Sequence, residues 1–90
     1  MKLKKIVSVT EVDGEGLTGL LGENVLLMCG SYFYAGRLDG VNDSCVLLTD
    51  ALVVYETGTL TQNKWGANEA LPGPWYIQTA AIESFGKSGK

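Results

Sequence analysis

Histidine is missing from this 90-residue sequence altogether. With it go the imidazole ligands of common structural zinc sites, and Cys29 and Cys45 form no Cys-x-x-Cys pair that would replace them. A hydrolase would also lack its usual base, and no Ser or Cys stands in a recognisable nucleophile setting. Carboxylate pairs such as Asp39 with Asp43 are explained by turn chemistry. The expectation is a protein that is not an enzyme and takes no metal, cofactor or small-molecule substrate.

Long apolar runs are missing too. The hydrophobic residues fall in short blocks of four or five, well below the roughly 18 that a membrane span requires, so no membrane partner is expected. Lys2, Lys4 and Lys5 have the charge of a signal-peptide start, but residues 6–11 are too short and too polar for its apolar core. A cytoplasmic location is therefore expected. In that setting Cys29 and Cys45, each inside an apolar block, read as reduced, hydrophobe-like thiols and not as a disulfide.

Positive charge is scarce. Seven basic residues against ten acidic ones leave a net charge of −3, which disfavours coating nucleic acid through the whole surface and makes any such binding local. Most lysines crowd the two ends, where solvated tails account for them, and Arg37 and Lys64 stand alone in the interior.

What remains is a β pattern on a chain short enough for one domain. Residues 1–16 read as an N-terminal extension, extended over 6–12. One helical turn follows over 17–21, presenting Leu17, Leu20 and Leu21 to a core and limited by flanking glycines. β-favouring blocks then alternate with turn residues, predicting strands at 25–29, 32–39, 45–55, 75–78 and 81–85. The third is expected to be interrupted at Thr49-Asp50. Gly36, out of place in a flat strand, marks a bend or the close approach of another backbone. Residues 57–73 read as a long loop and 86–90 as a polar tail. Gly14, Gly16 and Gly19 spell a dinucleotide-binding glycine pattern, with Asp39 at the distance of a ribose-binding acid. Strand patterning from Val25 leaves no room for the helix and crossover that fold requires.

Two tracts resemble the motifs of the Sm-like family. From Leu21 to Asn42, a strand, a glycine turn and a second strand carrying Tyr34, Gly36 and Leu38 at alternate positions lead to a Gly40-Val41-Asn42 turn, as in the first Sm motif. From Trp75 to Phe85, Ile77-Gln78-Thr79 followed by hydrophobics three residues apart is similar to the second. The resemblance covers about 17–85 and implies a small, strongly bent, five-stranded antiparallel barrel of the SH3 type. It also implies a homo-oligomeric ring binding single-stranded RNA or DNA, with an accessory role in nucleic-acid processing. On that resemblance the nucleic-acid contacts fall to Asn42, Asp43, Ser44, Gln78 and Thr79. Tyr32, Arg37, Lys64 and Trp65 are candidates for stacking or cationic contacts, Trp65 being the aromatic expected to be least buried. Trp75, Tyr76, Ile77, Ile82 and Phe85 are candidates for the subunit interface. The chain departs from the family pattern where Val46 replaces the base-contacting Asn and where Gln78-Thr79 replaces Arg-Gly. A ring that keeps the scaffold as a structural or protein-interaction module is the alternative.

Overall fold

The computed structural model describes residues 15–90; the extended segment expected over 6–12 lies outside them. The chain is predominantly antiparallel β-sheet. Its strands are β1 (Asn24–Cys29), β2 (Phe33–Val41), β3 (Cys45–Val54), β4 (Asn68–Ala70), β5 (Trp75–Gln78) and β6 (Ile82–Lys87). Among the described residues six strands are present where five are expected, because the 57–73 loop contains β4. Among the described residues there is no helix long and apolar enough to cross a membrane.

The first three strands form a meander joined by tight turns, and β6 returns to pair with β1. On the other side of β3, its first half pairs with β5 and its second half with β4. The sheet does not close. Among the described residues, β5 pairs only with β3 and β6 only with β1, so each has one open edge.

β1 carries apolar residues on both faces because both are covered. Val25, Leu27 and Cys29 join Leu38, Val46, Leu48, Ala51 and Ile77 in an inner cluster, while Leu26 joins Ala35 and Val54 in an outer one. Complete burial of side chains such as Leu27, Leu38 and Leu48 contributes about 1.5–3 kcal/mol each. The expected helical turn is a 3-10 turn at Thr18–Leu20. Three residues per turn align Leu17 with Leu20 over the inner cluster. Leu21 is left exposed, contrary to expectation.

Two bulges bend the β2–β3 pair. Between Ala35↔Leu52 and Arg37↔Thr49 β3 has one residue more than β2, and between Leu38↔Leu48 and Gly40↔Leu47 the surplus, Asp39, lies on β2. Asp50, at the first bulge, has φ 52°, a left-handed conformation that Asp tolerates better than most residues. The interruption expected at 49–50 is this bulge. It carries β3 from its β5 partner to its β4 partner and throws backbone across Gly36. A Cβ on Gly36 would lie 3.0 Å from the Thr49 carbonyl oxygen and 3.1 Å from Ala51 Cα. Glycine is therefore required there by a close approach of backbone.

Candidate nucleic-acid interface

The register Cys45↔Gln78 between β3 and β5 places the 42–44 turn beside the end of β5. Each turn is built by its own residues. Asn42 Oδ1 accepts hydrogen bonds from Ser44 N (2.8 Å), Ser44 Oγ (3.1 Å) and Cys45 N (2.9 Å), an Asx turn that starts β3. Thr79, opening the 3-10 turn Thr79–Ala81 between β5 and β6, ties the two turns together. Its N–H donates to the Ser44 carbonyl at 2.9 Å and its hydroxyl to the Asp43 carbonyl at 3.1 Å.

All five candidate contact residues thus meet in one place, and Asp43, Ser44, Gln78 and Thr79 line an open hollow of about 480 Å³. The oxygen of Asn42 and the proton of Thr79 are already used inside the turns. No protein hydrogen bond engages the side chains of Asp43 and Gln78 among the described residues, so the exposed amide of Gln78 can both donate and accept. Asp43 brings a carboxylate that repels phosphate.

The other candidates are dispersed. Arg37 forks onto Asp39, with Nε–Oδ1 at 2.9 Å and Nη2–Oδ2 at 3.2 Å, and Thr49 Oγ1 donates to the same carboxylate at 2.7 Å. The hydrogen bond from Arg37, followed by that from Thr49, holds the Asp39 carboxyl below its ordinary range, and Asp39 in turn raises Arg37. This network holds the bulge residue of β2 and engages the interior arginine.

Trp65 is half-buried, not free in the loop, and packs against the outer cluster. The Lys90 ammonium lies 4.2 Å from its ring centroid and donates to the carbonyls of Thr57 (2.9 Å), Thr59 (2.8 Å) and Lys64 (2.6 Å). Three donors meet three acceptors, with the indole beside them. The expected polar tail is therefore a latch on the long loop, while the Lys64 side chain stays exposed.

Tyr32, 50% exposed, stands edge-on to Tyr34 and to Tyr55, at centroid separations of 6.4 and 6.1 Å. The Tyr55 hydroxyl donates to Glu69 (3.0 Å), which raises its pKa. Tyr55 and Lys90 carry no motif that marks them in the sequence. Tyr32 and Tyr34, at the β1–β2 hairpin, line a groove of about 570 Å³ together with Trp75 and Tyr76 of β5 and Glu83 of β6. Cys29 lies at its floor, and burial, then Glu83, pushes its thiol pKa up, away from reactivity. Both cysteines are free.

Of the interface candidates, Ile77 belongs to the inner cluster, and Trp75 and Ile82 pack against it. Only Tyr76 and Phe85 project substantially into solvent, at 66% and 43% exposure. Among the described residues no group of three or more Cys, Asp or Glu side chains is placed to hold a metal ion. No protein-family model and no curated protein sequence matches the chain.

Proposed function

We propose that this chain is an Sm-like module whose sheet is completed by other copies of itself, forming a homo-oligomeric ring that binds single-stranded nucleic acid. The observation that carries this reading is the pair of open edges on β5 and β6, joined through the three-residue Thr79–Ala81 turn. An exposed strand edge is a template for pairing. Two different edges on one chain pair head to tail, and such contacts give a finite assembly only if the rotation closes. The barrel implied by the resemblance is then completed between subunits.

The 42–44 turn and the Gln78-Thr79 corner sit next to the β5–β6 connection, so a ring repeats them once per subunit around its axis. Gln78, Ser44 and the amide nitrogen of Asn42 offer hydrogen bonds to bases and ribose, and Tyr32 offers a face for stacking. Modest contacts multiplied by symmetry sum to useful affinity.

A second reading, a ring that serves protein interaction or structure alone, is favoured by one observation. The polar groups that base recognition would draw on, Asn42 Oδ1, Thr79 Oγ1 and the Arg37 guanidinium, are engaged within the chain. Filter binding of labelled oligo-U, oligo-A and single-stranded DNA at low and physiological salt, run beside sedimentation equilibrium, separates the two. Assembly with salt-sensitive retention of oligonucleotide supports the first reading. Assembly without retention supports the second, and a stable monomer at micromolar concentration refutes both.

A further inference from the structure

Among the described residues Tyr76 is the most exposed of the large hydrophobic side chains. Its neighbours Trp75 and Ile77 turn into the inner cluster, so strand alternation turns Tyr76 to the opposite, outer face of the sheet. Among the described residues nothing covers it there. β6 offers the complementary shape on that same outer face. In register with β1, Ser84 lies opposite Met28 and Gly86 opposite Leu26, two residues of the outer cluster. A serine and a glycine are too small to cover that floor, and a Cβ on Gly86 would meet nothing within 4 Å. The result is a cleft of about 220 Å³ floored by Leu26 and Met28 and walled by Leu60 and Trp65.

An unfilled apolar cleft beside one open edge and an uncovered aromatic on the other are matched by strand addition. If β5 of one copy lies along β6 of the next, the two inner faces must continue into each other, setting Trp75 and Ile77 beside Ile82 and the half-exposed Phe85. The alternation that satisfies the inner face leaves Tyr76 over Ser84 and Gly86 on the outer face. We propose that Tyr76 of each copy seats in the Leu60–Trp65 cleft of its neighbour. The inference rests on the edge pairing proposed above and adds what fixes its register. A tyrosine suits the place, because its ring fills apolar space at low entropic cost while its hydroxyl reaches the polar rim at Lys87 and Ser88.

The test compares wild type, Tyr76→Ala, Tyr76→Phe, Gly86→Leu and the double variant Tyr76→Ala/Gly86→Leu by sedimentation equilibrium over a concentration series. Circular dichroism checks that each monomer is folded, which the exposure of Tyr76 and the space around Gly86 favour. Tyr76→Ala is expected to weaken self-association at least about tenfold, as truncating a buried interface aromatic does, and Tyr76→Phe much less. Gly86→Leu fills the cleft and should weaken association similarly. In the double variant the leucine occupies the space the ring has left, so the two losses should not add. Wild-type assembly with Tyr76→Ala assembling equally well, or with fully additive losses, overturns the seating of Tyr76 and leaves edge pairing standing. A monomeric wild type overturns edge pairing itself, and the seat with it.

Discussion

Gly36→Val tests the bend of the sheet at its tightest point. The Cβ alone would sit 3.0 Å from the Thr49 carbonyl oxygen, 3.1 Å from Ala51 Cα and 3.4 Å from the Asp50 carbonyl oxygen. All three atoms are backbone, held by the β2–β3 ladder and the bulge at Asp50, so none can swing away as a side-chain tip would. Valine adds two methyl groups to that space. Overpacking of this kind costs about 1–3 kcal/mol. In a domain of this size each kcal/mol moves the thermal midpoint by about 4–8 °C, which predicts a fall of about 4–24 °C. Gly36→Ala, which brings the Cβ alone, should show a smaller fall in the same direction. Melts followed by circular dichroism must be run at one protein concentration, since self-association would also shift the midpoint. An unchanged midpoint for Gly36→Val would mean that the bulge can move aside freely and that the bend does not depend on glycine.

Asp43→Asn removes a carboxylate from the hollow at the two turns and, on the proposed nucleic-acid reading, should tighten oligonucleotide binding, most at low salt. Gln78→Ala should weaken it, and filter binding reads both; equal, unchanged affinities would take the site away from these turns. Because the Arg37 and Thr49 hydrogen bonds lower the Asp39 carboxyl, its contribution to stability is complete above the unfolded value of about 3.9 and is lost as pH falls through the lower folded value. Urea midpoints should therefore drop in acid, and Asp39→Asn should flatten part of that drop; identical acid limbs would refute the linkage. Lys90→Met removes the latch on the Thr57, Thr59 and Lys64 carbonyls. Trypsin should then cut after Lys64 faster than in the wild type, and equal rates would show that the latch does not restrain the loop.

Strand positions were legible wherever an apolar block met a turn residue, as at Cys29-Gly30 and Pro74-Trp75. Gly36 and the Thr49-Asp50 interruption were legible because each breaks an otherwise regular strand. β4 was not, since Asn68, Glu69 and Ala70 are all exposed and hold their place only by pairing with Leu52, Val53 and Val54. Propensity carries no trace of such tertiary pairing. Leu21 is exposed because the turn repeats every three residues, which aligns Leu17 with Leu20, whereas an α-helical repeat would bring Leu21 onto the same face. Trp65 and Lys90 depend on each other across a loop, a relation no local pattern encodes. The gathering of 42–44 with 78–79 followed from the family resemblance. That Asn42 and Thr79 spend their polar groups inside the turns is a matter of hydrogen-bond geometry, and the residue types alone could not have told it. For Ile77 and Ile82 an apolar strand pattern was compatible with core and interface alike, and only the packing assigns them inward.

The pairing of β1 with β6 also orders events in time. β1, β2 and β3 are joined by short turns and can associate locally, whereas β6 must come back across the four intervening strands before its ladder with β1 forms. Closing so long a loop is entropically costly until the inner cluster can reward it, and long-range pairings are slow for that reason. Pulse-labelled hydrogen exchange should accordingly protect amides of the meander before those of β6. The strand β6, with one edge open, is then the last to be laid down, next to a β5 that itself needs β3 already in place. A half-folded chain lacks the paired geometry of the two edges, so on the proposed head-to-tail reading only a finished subunit would be competent to recognise another.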